Sequence, residues 1–286
     1  MVAKMHNKAT FIKKNDEKSK TKKPGKLYRL KVKSKKIDVG LVKKIVVFDE
    51  LSSTNSKAKE LARNGEEEGT VVIARMQQKG RGRFDRVWES PYGGLYLSII
   101  LKPDVSPDKT TLLPLVAALA ISTTIRNFGL SATIKWPNDV QVNKKKVAGI
   151  LLESDVCKNQ LRYIILGVGV NLNIDVNLFS RELKNVVTSL SQELHFVVDY
   201  HKFLEDLLLM LDMYYTMFLK CEFDRIISEW KAQSDTINRK VRIVTSSDDI
   251  IGKAYDVDQS GFLLVITDSG DYKKIMSGDC IYFDEL

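Results

Sequence analysis

Short apolar runs bounded by turn formers occur at 44–48, 71–74 and 94–101, and each reads as a strand. Ser53 and Thr54, just ahead of Ala58, Leu61 and Ala62, mark a helix start. Residues 110–128 are apolar almost throughout. Pro114 falls in the first turn and Gly129 just past the end, which predicts a buried helix. Residues 140–143 and 147–153 predict a hairpin closed through Lys144-Lys145-Lys146, and 163–171 predicts a strand that alternates large residues with glycine. Phe203, Leu207, Met210, Leu211, Tyr214 and Phe218 recur at helical spacing across 199–219, the signature of an amphipathic core helix. Residues 222–233, with Trp230, continue helical. From Lys240 the texture changes to short β-rich segments at 241–245, 250–257, 262–267, 272–275 and 280–283, punctuated by Ser260-Gly261 and Ser269-Gly270. They predict a small β-barrel-like unit of about 50 residues. The chain thus divides into a basic tail (1–36), a main domain (37–235) and a small β domain (236–286).

Composition changes this picture in one place. The net charge of +9 is unevenly spread: residues 1–36 carry 13 Lys and one Arg against Asp16 and Glu17, a balance of +12. The remaining chain holds 31 basic and 34 acidic residues, a balance of −3, so the high pI belongs to the tail. Such a tail buries too little apolar surface to offset ordering entropy, and disorder is expected. Three scattered cysteines and three scattered histidines show no metal-ligand spacing, and a reducing cytoplasm is the natural setting. No apolar run reaches the roughly 20 residues that span a bilayer, and the N-terminus lacks the apolar stretch of a secretory signal.

The chemistry concentrates in Gln77-Gln78-Lys79-Gly80-Arg81-Gly82-Arg83-Phe84-Asp85-Arg86-Val87-Trp88. Three arginines within six residues suit phosphate, because guanidinium offers planar, bidentate donors. Two glycines let the backbone fold tightly and approach a ligand, and Trp88 adds a face on which a purine could stack. The flanking strands place this loop on a rigid sheet. A solvated glycine-arginine turn is the plainer alternative. The segment is neither a dinucleotide fingerprint nor a P-loop.

Further along, Ser53 and Thr54 serve either as helix caps or as hydroxyls for a polar head group. Trp136-Pro137-Asn138-Asp139 reads as a turn, yet Asn138 and Asp139 would also place two oxygens where Mg²⁺ could sit beside phosphates. Lys144 and Lys145 look like turn surface, whereas Lys146 enters a strand beside Ala148-Gly149 and could point into a pocket. Gly167 and Gly169 mark close approach of a ligand or another backbone, with Asn171 at that strand's end.

Taken together, Ser53-Thr54-Asn55, the loop 80–88, Lys135-Trp136-Pro137-Asn138-Asp139, Lys146-Val147-Ala148-Gly149 and the segment 167–171 match one family in order and spacing. The chain resembles the biotin protein ligases over roughly residues 43–286. The resemblance implies an α+β fold: a mixed-sheet catalytic domain of the biotin/lipoate ligase type with a small C-terminal SH3-like β-barrel. It implies activation of biotin by ATP to biotinyl-5′-AMP, then transfer to a lysine of a biotin carboxyl carrier protein, the reaction of biotin–[acetyl-CoA-carboxylase] ligase. Lys146 and Arg83 would be catalytic, Lys146 screening the carboxylate from the α-phosphate. Biotin would meet Ser53, Thr54, Asn55, Gln77, Gly80, Arg81 and Lys146, with Gly149, Gly167 and Gly169 leaving it room. The adenylate would meet Arg81, Arg83, Arg86, Trp88, Asn138, Asp139, Lys146 and Asn171, with Mg²⁺ near Asp139. Lys79 and Phe84-Asp85 depart from the family's usual loop and leave loop mobility and any homodimer contact open. The DNA-binding domain of the family's repressor members has no counterpart, so no operator binding is expected. A lipoate or octanoate ligase of the same fold, and a nucleic-acid binder acting through the tail, are the alternatives.

Overall fold

The computed structural model describes residues 40–157 and 160–283. The lysine-rich tail, 1–36, lies outside the described residues. Strands β1 (Lys44–Leu51), β2 (Thr70–Gln77), β3 (Leu95–Leu101), β4 (Ala132–Lys135), β5 (Asp139–Val142), β6 (Lys145–Cys157) and β7 (Gln160–Val170) form one seven-stranded sheet in the order β1-β2-β3-β7-β6-β5-β4. Only β1 and β2 pair in parallel, across helix α1 (Thr54–Arg63). Every other neighbouring pair is antiparallel.

Alternation along the central strands assigns the two faces. Leu95, Leu97 and Ile99 of β3 and Leu166, Val168 and Val170 of β7 belong to the main core. That face is covered by α2 (Leu113–Asn127), backed by α4 (Tyr200–Leu219) and α5 (Phe223–Gln233). Helix α2 is buried nearly all round, as its continuous apolar sequence requires. Gly129 follows it at φ +92°, a backbone conformation that favours glycine. Helix α4 starts where Asp199 accepts from the amides of His201 and Lys202. Its Phe203, Leu207, Leu211, Tyr214 and Phe218 are buried, while Met210 is only half-buried.

The opposite face is covered in part. Ala58 and Ala62 of α1 pack on Val72, Ile100, Tyr163 and Ile165. Beyond α1, that face is left to the loop between β2 and β3 and to the segment after β7, whose Ile174, Phe179 and Val187 pack with Tyr96.

Strands β8 (Lys240–Val244), β9 (Asp249–Val257), β10 (Leu263–Thr267), β11 (Tyr272–Ile275) and β12 (Asp279–Tyr282) form a second, antiparallel sheet in the order β11-β10-β9-β8-β12, consistent with an SH3-like unit. Its buried apolar residues join the main core. Thr236 is the polar rivet of that junction. Its buried hydroxyl accepts from the Trp136 backbone amide at 2.9 Å and lies 2.9 Å from the Tyr282 hydroxyl.

Three local expectations are revised. The β5–β6 turn is the two-residue Asn143-Lys144 pair, both at positive φ (51° and 64°), and Lys145 already belongs to β6. Two-residue hairpin turns with positive φ match the twist of the flanking strands. Residues 132–135 form a strand where only a turn was expected at the following Trp-Pro, and a five-residue helix α3 (Leu190–Leu194) lies in a segment with no sequence assignment.

Thr236→Val keeps the volume but orphans the Trp136 amide and the Tyr282 hydroxyl. A buried polar group left unpaired costs about 1–3 kcal/mol. Denaturant unfolding is expected to show a loss in that range with an unchanged m-value.

Candidate active site

The site begins with missing side chains. Asp139, Gly149, Gly169 and Tyr96 stand side by side on β5, β6, β7 and β3. Residues in one cross-strand row project to one face, here the face α1 leaves uncovered, and the two glycines open a gap in it. The indole of Trp88 lies in this gap: an added Cβ would come within 2.8 Å of its Cζ3 at Gly149 and 2.6 Å of its Nε1 at Gly169. In the next row, a Cβ at Gly167 would come within 2.2 Å of Asn55 Oδ1.

Trp88 arrives on a flap rather than an open loop. Antiparallel bridges link Gln77 to Ser90 and Arg81 to Val87, and the Gly82 amide donates to the Arg86 carbonyl at 2.7 Å. The flap's tight turn runs through Phe84 and Asp85 at φ 53° and 56°, not through the two glycines. Gly80 is required for packing: a Cβ there would meet the Trp88 carbonyl oxygen at 2.3 Å. Gly80 thus serves the flap's own closure, the tight folding that the sequence suggested.

Lys146 sits at the gap's edge. Its Nζ lies 2.7 Å from Asp139 Oδ1 and 5.1 Å from the centroid of the Trp88 ring. Its backbone is clamped by Val186 and Thr188, each at 2.9 Å. From the other side come the arginines. Arg83 donates to Ser277 Oγ at 2.8 Å, the Gly278 carbonyl at 3.2 Å and, weakly, Asn138 Oδ1 at 3.4 Å. Burial pushes its guanidinium below the usual value against the pull of Asp279 and Asp139, and a guanidinium remains charged in proteins. Arg86 forms a two-point ion pair with Asp279. The second sheet therefore holds the flap's tip.

A polar chain underlies the flap. Gln77 Oε1 accepts from the Thr54 amide at 2.7 Å and the Thr54 hydroxyl at 3.1 Å, and Gln77 Nε2 donates to Ser90 Oγ at 2.9 Å. The Ser90 hydroxyl in turn donates to the Trp88 carbonyl. Ser98 Oγ lies 2.6 Å from Asn55 Oδ1 and 2.8 Å from Thr54 Oγ1. Asn55 Nδ2 donates to Glu153 at 2.8 Å, which also receives Arg81 at 2.9 Å and Lys59 at 2.5 Å. Burial alone would raise the Glu153 carboxyl, but hydrogen bonds from Lys59 and Asn55 and the charge of Arg81 outweigh it and hold its pKa below the ordinary value.

These groups surround one cavity of about 440 Å³, within the range of small-molecule sites. All the residues named from the sequence line it except Gly80. Ser53 also caps α1, accepting from the Ser56 amide at 3.4 Å. Asn138 Nδ2 is engaged by the Ile150 carbonyl and Asn171 Nδ2 by the Thr188 carbonyl. Arg81 Nε, Trp88 Nε1 and Asn171 Oδ1 are buried without a hydrogen-bond partner, so the wall keeps donors and an acceptor in reserve. Sequence reasoning missed Asp279 and the apolar wall of Phe179, Leu183 and Val187 in the lining, and Ser98 and Glu153 in the polar chain beside it. Only that wall left a trace, as large apolar residues spaced through a polar segment. Among the described residues, no group of three or more His, Cys, Asp or Glu gathers as a metal site.

A two-layered mixed sheet with a cation-lined cleft under a flap, flanked by a small barrel, defines the class. The profile of the Biotin/lipoate A/B protein ligase family matches residues 47–171, and that of the Biotin protein ligase C terminal domain matches 236–282. The bifunctional ligase/repressor BirA of Bacillus subtilis is 38% identical over 260 residues, covering 90% of this chain and 80% of the relative. A biotin--[acetyl-CoA-carboxylase] ligase of Paracoccus denitrificans is 40% identical over 126 residues, 42% of this chain and 51% of that protein. The biotin protein ligase from Aquifex aeolicus, solved in complex with biotin and ATP, superimposes with a TM-score of 0.72 at 28% identity, covering 83% of this chain and 97% of that one. The chain belongs to the biotin protein ligase family.

Gly169→Ala puts a methyl group where the indole lies and must displace Trp88. The expected outcome is a red-shifted tryptophan emission and a biotin KM raised about tenfold or more, the scale of one lost packed contact of 1–3 kcal/mol.

Proposed function

We infer that the protein joins biotin to a carrier domain in two steps, and that Lys146 is the group on which the first step turns. One observation carries this reading: Lys146 Nζ, Asp139 and Trp88 meet at the glycine gap, directly beneath an arginine-bearing flap. A biotin carboxylate oxygen attacks the α-phosphorus of ATP; the new O–P bond forms as the bond to the bridging oxygen breaks, and pyrophosphate leaves. The attacking and attacked groups are both anionic. A fixed cation between them lowers the barrier, and groups of this kind are worth about 10²–10³ in rate. In the second step the acceptor lysine's neutral amine attacks the acyl carbon, AMP leaves with the former carboxylate oxygen, and the nitrogen loses a proton to solvent.

Each remaining residue has a part. Thr54 and Gln77 already hydrogen-bond each other and offer the same groups to the ureido ring, alongside Ser53 and the Arg81 backbone. Arg83 and Arg86 exchange Ser277 and Asp279 for phosphate oxygens, the stronger bidentate partner. Trp88 lies over the glycines and so faces the acyl chain more closely than the purine, which falls toward Asn138 and Asn171. Asp139 fits Mg²⁺ as a single carboxylate, since that ion is usually held by one or two carboxylates plus phosphates and water. When bound, it supplies charge neutralisation to the phosphates. The acceptor we propose is the carrier domain of acetyl-CoA carboxylase, the partner in the Paracoccus relative's name. The named residues all come from one chain, so the scheme needs no second copy. Cys157, Cys221 and Cys280 form no disulfide among the described residues, which suits a reducing cytoplasm. Among the described residues no helix is long and apolar enough to cross a membrane.

Lys146→Ala is expected to cut biotin-dependent pyrophosphate release at least about 100-fold while the protein still folds. Release at the wild-type rate would exclude the role.

Arg83→Gly is expected to release biotinyl-adenylate, because it frees the flap from Ser277 and Gly278 and removes a phosphate ligand. An adenylate is an activated acyl donor and acylates any free amine it meets. Incubation with biotin, ATP and an unrelated lysine-rich protein should biotinylate the bystander with Arg83→Gly and leave it unlabelled with Lys146→Ala. Labelling confined to the carrier, at the wild-type level, would rule out retention by Arg83.

A further inference from the structure

We propose that Glu153 is a positioning residue that locks the base of the flap to the floor of the biotin pocket, and thereby sets biotin affinity and adenylate retention rather than the rate of the chemical step. The proposal rests on the reading of the cavity given above.

Glu153 lies on β6 on the same face as Gly149, two rows beyond it, and its carboxylate is bonded to neither Lys146 nor the flap-tip residues Arg83 and Arg86. Its carboxylate is nonetheless saturated. One oxygen takes Lys59 of α1, and the other takes both Asn55 Nδ2 and Arg81 Nη2, at 2.8 and 2.9 Å. The Arg81 guanidinium donates to that shared oxygen, while its Nε is buried without a partner among the described residues. Arg81 is also the residue whose backbone pairs with Val87 to close the flap, one residue before Trp88.

The hydrogen bonds then form a circuit. From Glu153 it passes through Asn55 to Ser98, from Ser98 to Thr54, and on to Gln77 and Ser90. Ser90 closes on the Trp88 carbonyl, and the flap carries it back to Arg81 and Glu153. Both ends of the flap are therefore bonded to one set of buried hydroxyls and amides, the set facing the ureido position. A neutral residue at 153 leaves Lys59 and Arg81 facing each other without a counter-charge. It also lets Asn55 turn, which frees Ser98 and Thr54 to re-pair. The chemistry at Lys146, seven residues back along β6, is untouched.

Glu153→Gln is the test, with steady-state kinetics of biotin-dependent pyrophosphate release and a chase of preformed adenylate. The lost interaction is charge-assisted, of the class worth about 1.5–3 kcal/mol, so biotin KM should rise about tenfold or more. The KM for ATP and kcat should stay within about twofold, and adenylate should leave the enzyme faster by a similar factor. Glu153→Asp keeps the charge but shortens the reach, and should recover part of the biotin affinity and adenylate retention lost in Glu153→Gln. If Glu153→Gln fails to fold, Glu153→Asp alone decides by the same readings. A lowered melting temperature with biotin KM and adenylate release unchanged would overturn the proposal. A wild-type enzyme releasing no pyrophosphate with biotin would instead overturn the reading on which the proposal rests.

Discussion

Two glycines facing each other across antiparallel strands leave a sheet without side chains at that point, and the rest of the site follows from how this gap is filled. Gly149 and Gly169 are such a pair. Elsewhere on the sheet Leu, Ile and Val cover the backbone; here the cover is Trp88, delivered by a flap. A surface made by a removable aromatic ring rather than by fixed side chains suits a flat ring system with an aliphatic chain. The same cross-strand row points Asp139 at the gap, and Asp139 in turn holds the Lys146 amine there. The cation proposed for the first step is thus aimed by sheet register rather than by a loop.

The flap is held by contacts of different physical kinds. Its aromatic end is held by packing, its base by a half-buried carboxylate, and its tip by ion pairing and hydrogen bonds to the second sheet. Exposed ion pairs of the Arg86–Asp279 kind are worth about 0–1 kcal/mol, so phosphate can displace Asp279 at little cost. The half-buried Glu153 cluster is the firmer tether. A flap firm at its base and exchangeable at its tip can exclude water from an acyl-adenylate and still admit a nucleotide.

The large elements were legible because they follow simple periods. The five short strands after Lys240 appear within a residue or two of their expected positions, and α4, Tyr200–Leu219 with Asp199 as its cap, fills the expected 199–219. The cavity's lining was legible because the motifs are local: glycine-arginine, Trp-Pro-Asn-Asp, Lys-x-x-Gly. Glu153, Ser98 and Asp279 were not, since a lone polar residue in a strand carries no pattern; only pairing of distant strands gives it a partner. The residues that carry the flap's turn were missed for a related reason. Phe84 and Asp85 take the left-handed turn, a local cost of the kind that surrounding structure must offset, and composition pointed to Gly80 and Gly82 instead.

The position of the tip's anchor along the chain has a consequence for biosynthesis. Arg83 and Arg86 are bound by Ser277, Gly278 and Asp279, almost two hundred residues further on. Domains form as they leave the ribosome, N-terminal part first, so the seven-stranded sheet and its flap emerge before the turn that fastens them. A nascent chain at that stage holds the cleft with an unfastened lid, and only synthesis of the second sheet supplies the latch.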